Sequence, residues 1–177
     1  MNICVFCSAS NNIDDKYKHS ARQLGEWLGK NGHTLVFGGS TGGLMTEVSQ
    51  GAAAQNGKII GVIPQTIIAM NRQSPFCTTI YKVKTMSERK KKMKELSDIF
   101  VVLPGSYGTL DEMFDVVAAA TVGEHRKALI IVNEFNFYDL LVQLTENMKQ
   151  LQFIVFEHYK PIVVQNIDEC IEMLKQN

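Results

Sequence analysis

Two glycine-rich turns and the acidic start of a helix are where this chain could do chemistry. The first turn, Gly38-Gly39-Ser40-Thr41-Gly42-Gly43, lies between an apolar run ending at Phe37 and a helical pattern beginning near Leu44. The second, Pro104-Gly105-Ser106-Tyr107-Gly108-Thr109-Leu110-Asp111-Glu112, also follows an apolar run and opens a helical pattern. Glycines at such places let backbone amides approach an anion closely, and the new helix adds the positive end of its dipole. Each turn is therefore a candidate phosphate cradle, with tight turning alone as the other use of the same glycines. Neither contains G-x-x-x-x-G-K-[ST], so an ATP- or GTP-type loop lacks its lysine. The turn after the first apolar run is Cys7-Ser8-Ala9-Ser10, not the G-x-G-x-x-G of a dinucleotide fold. What remains is a mononucleotide or a sugar phosphate.

Glu112 falls about one turn into its helix, where the dipole favours an ionised carboxylate. That suits cleavage of an N-glycosidic bond. Positive charge builds on the ribose as the bond breaks, and a nearby anion stabilises it while orienting or deprotonating the attacking water. The competing reading makes Asp111 and Glu112 ordinary first-turn acids. Arg89 opens a second charged helix start with Lys90, Lys91, Lys92 and Lys94. From Lys91 onward, a solvated helix face accounts for the lysines.

The elements that must position these residues alternate along the chain. Short Val- and Ile-rich runs predict strands at Ile3 to Phe6, Thr34 to Phe37, Ile59 to Ile63, Ile80 to Val83, Ile99 to Leu103, Leu129 to Val132 and Ile162 to Val164. Between them, helical periodicity predicts Asp14 to Lys30, Gly43 to Gln55, Ser87 to Leu96, Thr109 to Val122, Phe137 to Leu151 and Ile167 to Lys175. Such β-α alternation predicts an α/β fold, a Rossmann-like three-layer sandwich around a mostly parallel sheet of six or seven strands. Both glycine turns would then emerge at the carboxyl edge of the sheet, where such folds bind ligands. Gly32 and Gly57 read as helix C-terminal caps, and Ser87 and Thr109 as N-caps. The stretch from Pro64 to Thr79 reads as a long connection of the kind that covers a site.

Composition limits the partners. The 177 residues are 45% hydrophobic and 20% charged, which fits one globular domain over residues 1–177. With 18 basic and 18 acidic residues there is no cationic field for nucleic acid or an acidic membrane. No apolar run approaches the roughly 20 residues that span a bilayer, and the expected location is cytoplasmic. Cys4 and Cys7 have C-x-x-C spacing, but no second pair completes a zinc site and burial is the better reading. Nothing in the chain requires a metal or a cofactor.

At these residues the chain resembles the LOG ("lonely guy") family, cytokinin riboside 5′-monophosphate phosphoribohydrolases long mislabelled as lysine decarboxylases. The family's P-G-G-x-G-T-x-x-E is matched by Pro104 to Glu112, and its M-H-E-R-K by Met86-Ser87-Glu88-Arg89-Lys90. V-F-C at Val5 to Cys7, the turn from Gly38 to Met45, and G-V-I-P at Gly61 to Pro64 extend the likeness. The resemblance implies release of free base and ribose 5-phosphate from a nucleoside 5′-monophosphate, an AMP nucleosidase-like activity, by a homodimer. It makes Arg89 and Glu112 the catalytic pair. The substrate-binding set is Gly39, Ser40, Gly42 and Gly43 of the first turn, with Asn71, Met86 and Lys90. Gly105, Ser106, Tyr107, Gly108, Thr109, Leu110 and Asp111 of the second turn complete it, with Ser106 to Thr109 on the 5′-phosphate.

The chain departs from the family at several of these places. Ser8, Ser40, Thr46 and Ser106 stand where glycine is common, Ser87 where histidine is, Asn71 where a glutamate is, and Ala118-Ala119 where Thr-Trp is. A Cβ in a phosphate turn narrows the cradle and restricts positive φ. The rival reading is therefore a nucleotide-binding protein of the same fold that does not turn its ligand over. A pyridoxal-phosphate lysine decarboxylase has no identifiable Schiff-base site here. Dimerisation would use the apolar face of Thr109 to Val122 together with Phe153 and Phe156.

Overall fold

Seven strands, β1 (Asn2–Phe6), β2 (Thr34–Phe37), β3 (Lys58–Pro64), β4 (Thr79–Val83), β5 (Ile99–Val102), β6 (Leu129–Val132) and β7 (Ile162–Val164), form one sheet in a computed structural model. The structure describes residues 1–155 and 158–176; the prediction concerning Phe156 lies outside them. All six pairings are parallel, in the order β4-β3-β2-β1-β5-β6-β7. The predicted α/β architecture thus takes its fully parallel form. From β1 the chain builds outward through β2, β3 and β4, then returns to β1's other side and builds through β5, β6 and β7. The order reverses between β1 and β5, and the turns leaving those strands diverge to open a crevice.

Among the described residues, six α-helices lie between the strands, α1 (Asp15–Lys30), α2 (Gly43–Ala54), α3 (Gln65–Ala69), α4 (Met86–Leu96), α5 (Tyr107–Thr121) and α6 (Asp139–Gln150), and α7 (Ile167–Lys175) follows the last strand. Side chains alternate across each strand, so the sheet has two cores. Ile3, Val5, Leu35, Phe37 and Val101 join α1, α2 and α7 on one face. Cys4, Phe6, Val36, Phe100 and Val102 join Met93 of α4 and Met113 and Val116 of α5 on the other. Burial on both faces explains why the central strands read as continuous apolar runs. It also resolves the C-x-x-C spacing: an odd offset puts Cys4 and Cys7 in different cores, where they cannot share a metal. Burial raises both thiols far above their usual range. Among the described residues, no helix is long and apolar enough to cross a membrane.

Several boundaries differ from the predicted ones for physical reasons. Thr85, not Ser87, caps α4: its side chain accepts from the Glu88 amide while Glu88 accepts from the Lys84 amide. Helix α5 starts at Tyr107, two residues before Thr109, and Thr109 is buried rather than capping. After α2 the left-handed position belongs to Asn56 (φ 56°), one residue before Gly57. The connection from Pro64 to Thr79 contains the short helix α3. Helix α6 starts at Asp139 rather than Phe137 because a 3-10 turn at Glu134–Asn136 intervenes, with Phe135 and Asn136 both at positive φ.

Candidate active site

The two glycine turns, alike in sequence, are not alike in structure. At the start of α5 the first helical hydrogen bond is Leu110 N–H to the Ser106 carbonyl. Ser106 makes no side-chain cap. Among the described residues the amides of Ser106 to Thr109 have no protein acceptor, the state in which a helix start can receive an anion. Ser106 has φ −104° and ψ −154°, extended backbone that any residue adopts, so serine in place of glycine costs this turn no strain. Neither Ser8, Ser40 nor Thr46 has positive φ. The turn is fixed from both sides. The Ser8 amide donates to the Pro104 carbonyl across the switch point (3.2 Å), and the Tyr138 hydroxyl donates to Leu103 O (2.9 Å). A cavity of about 240 Å³ opens here, walled by Ser8 and Ser10 on one side, Pro104, Gly105 and Ser106 on the other, with Ile13, Tyr17, Leu44 and Phe137.

The turn after β2 is closed by the protein itself. Thr41 N–H donates to the Arg72 carbonyl (2.7 Å), Gly42 N–H to Thr46 Oγ1 (2.7 Å) and Gly43 N–H to Asn11 Oδ1 (2.9 Å). The amides of Gly42 and Gly43, expected in a phosphate cradle, are engaged within the protein, at Thr46 and Asn11. The glycines serve close approach instead. Gly42 (φ 114°) and Gly43 (φ 45°) lie against the Ala9 and Ser10 carbonyls, where a Cβ would overlap. Gly39 and Ser40 pair with the following segment, through Ser74 N–H to Gly39 O (2.8 Å) and a bridge from Ser40 to Gln73.

Arg89 and Glu112 meet in the interior. Arg89 Nη1 donates to Glu112 Oε1 at 2.6 Å and its Nε to the Val62 carbonyl at 3.0 Å. Only 7% of Arg89 and 3% of Glu112 is exposed. Gly38 makes room for this arrangement, since a Cβ there would overlap the Arg89 guanidinium. Burial pushes the Glu112 carboxyl above its usual range, a shift that Arg89 partly offsets and Asp111 adds to. Next along α4, Lys90 bridges to Asp111 (2.7 Å) and Asp115 (3.7 Å) on α5. The helices that present the two motifs are thereby tied together by an inner and an outer ion pair.

Other predicted residues sit farther out. Tyr107 is 91% exposed, Met86 and Asn71 are exposed, and Leu110 packs on the second core. Asn71 has φ 54°. Sequence reasoning missed Asn11 and Arg72, because what they do depends on backbone from distant turns, and no local pattern marks it. It also missed Tyr17 and Phe137, whose aromatic character signalled only core. No cluster of three His, Cys, Asp or Glu suited to a metal occurs among the described residues.

A parallel sheet that winds both ways from a central strand, with an uncapped helix start beside its switch point and a buried guanidinium–carboxylate pair on the flanking helices, defines a doubly wound α/β protein, a class whose ligands bind at that edge. Comparison with known proteins narrows the class. The family described as "Possible lysine decarboxylase" matches residues 45–176. Arabidopsis thaliana "Cytokinin riboside 5'-monophosphate phosphoribohydrolase LOG7" is 35% identical over 98% of this chain and 81% of its own length. Oryza sativa subsp. japonica "Probable cytokinin riboside 5'-monophosphate phosphoribohydrolase LOGL9" is 36% identical over 88% of this chain and 69% of its own. The chain belongs to the LOG family of phosphoribohydrolases. Among solved structures, the molybdenum cofactor binding protein of Rippkaea orientalis superposes with TM-score 0.73 over 99% of this chain and 95% of that one. At 23% identity this is a likeness of fold.

Proposed function

We propose that the protein hydrolyses the N-glycosidic bond of adenosine 5′-monophosphate, with or without an N6 substituent, to free base and ribose 5-phosphate. The buried pair of Arg89 on α4 and Glu112 on α5, with Glu112 on the helix whose first amides are free, carries this reading. Thr109 and Glu112 are three residues apart on the buried side of α5, about 4.5 Å along the axis at 1.5 Å per residue. A phosphate received at Ser106 to Thr109 would bring its ribose toward the carboxylate. As the C1′–N9 bond breaks, its electron pair leaves with the base, and Glu112 stabilises the cationic ribose while accepting a proton from the water that attacks C1′; return of that proton to the departing base gives the neutral free base and restores the carboxylate. Arg89 supports the ionised carboxylate and offers a fixed hydrogen-bonding charge. The names of the plant relatives support the same reaction class.

The test is chromatographic detection of base and ribose 5-phosphate after incubation with AMP, N6-isopentenyl-AMP, GMP and CMP. Release from the adenine nucleotides is expected. No release from any of them, with AMP binding retained, would favour the non-catalytic nucleotide-binding reading. The pH profile supplies a second check. Glu112 must be ionised to take a proton, and burial raises its pKa, so kcat/KM should fall in acid through a limb above the ordinary 4.5. A limb at or below 4.5 would remove Glu112 from that role.

We also propose a homodimer. The apolar face of α5 expected to form it is largely used on the sheet, through Met113, Val116, Ala119 and Ala120. Phe114 and Val122 stay exposed, and Leu140, Leu144, Leu151 and Phe153 form further uncovered apolar surface on and after α6. Light scattering should give twice the chain mass of 19.8 kDa. A monomer at working concentration would refute it.

A further inference from the structure

A phosphate dianion needs countercharge, and the cations around the crevice are mostly committed. Arg89 is matched by Glu112, Lys90 by Asp111 and Asp115, and Lys16 lies over the rings of Tyr17 and Phe135. Arg72 is different. It has no carboxylate partner among the described residues. Its Nη2 donates to the Thr41 carbonyl (3.0 Å) and the Ala9 carbonyl (3.4 Å), which wedges the guanidinium between the turns after β1 and β2. Its own carbonyl accepts from the Thr41 amide and hydroxyl, so the backbone behind the side chain is fixed as well. Nε and Nη1 are left without an acceptor among the described residues. Ala9, which Arg72 touches, stands between Ser8 and Ser10, two residues of the cavity wall that faces Gly105 and Ser106.

We propose that Arg72 is a substrate-binding residue that supplies the positive charge for the ligand's 5′-phosphate, complementing the free amides at the start of α5. The proposal rests on the nucleotide reading above. A guanidinium already held by two neutral carbonyls has lost much of its side-chain freedom before the ligand arrives, and its remaining donors suit phosphate oxygens. The closure of the β2 turn fits this division of labour. Its amides are engaged inside the protein, and the segment that closes it presents a charged side chain instead.

Calorimetric titration of the full chain with AMP, ribose 5-phosphate and adenosine tests this without requiring turnover. Arg72→Gln keeps an amide donor for the two carbonyls and removes the charge. It should weaken AMP and ribose 5-phosphate by about 10- to 100-fold and leave adenosine unchanged, whereas Arg72→Lys should keep most of the AMP affinity. Unchanged AMP binding in Arg72→Gln would overturn the proposal while leaving the nucleotide reading intact, and so would equal weakening of AMP and adenosine, the mark of a staple between turns. If Arg72→Gln does not fold, Arg72→Lys decides alone: a preserved preference for AMP over adenosine supports the charge, and its loss overturns it. A wild-type protein that binds adenosine as tightly as AMP, or neither, would overturn both readings.

Discussion

Replacing Glu112 with glutamine is expected to slow base release by about 10²- to 10⁴-fold while AMP affinity stays within a few-fold. Glutamine keeps an oxygen where Arg89 Nη1 donates at 2.6 Å, so the geometry of the pair is largely preserved. It lacks the negative charge that stabilises a cationic ribose, and it takes no proton from water. The free amides of Ser106 to Thr109 lie one turn earlier on α5 and are untouched by the change, so binding survives. Single-turnover release combined with equilibrium AMP binding separates the two effects. If binding and rate were lost together, Glu112 would be holding the substrate and not the transition state.

The second large effect concerns stability. Arg89 and Glu112 are almost wholly buried, so removing one partner leaves a charge in the interior without its mate. Arg89→Met should cost about 3–5 kcal/mol. The loss has a pH signature. Without Arg89 the Glu112 carboxyl, already raised by burial, rises further. A group whose pKa is raised on folding contributes stability below its unfolded value and loses it as pH climbs through the folded one. The variant should therefore be least stable near neutrality and recover in acid. Combining Arg89→Met with Glu112→Leu removes both charges and should return stability to within about 1 kcal/mol of the wild type, or above it. That protein would be inactive. Urea unfolding of the four proteins gives the coupling directly. Additive losses in the double variant would mean that the pair is not coupled in the folded state.

Much of this architecture was readable from the chain. The runs at β2, β6 and β7 were bounded correctly because Val- and Ile-rich segments end at glycine or polar residues. The order of the strands was not readable: β4, an edge strand, carries Ile80 and Val83 much as a central strand would. Periodicity reports which face of an element is apolar, not which neighbour it meets. The site divided in the same way. Arg89 and Glu112 were singled out by motif, yet their contact joins positions 23 residues apart on different helices, and local spacing holds no trace of it. The two glycine turns looked equivalent because glycine content was the whole signal. What distinguishes them is the side chains of Asn11 and Thr46, one from the far side of a long helix and one a turn ahead.

Gly38 has a further consequence for how this protein can vary. The arginine's guanidinium occupies the volume that any side chain at position 38 would need. Every coding change at that codon that alters the residue adds at least one carbon against Arg89 Nη2, so the guanidinium beside Glu112 must shift to admit it. The heritable target for disturbing the ion pair is therefore larger than the two codons that spell it, and includes an uncharged position at the end of β2.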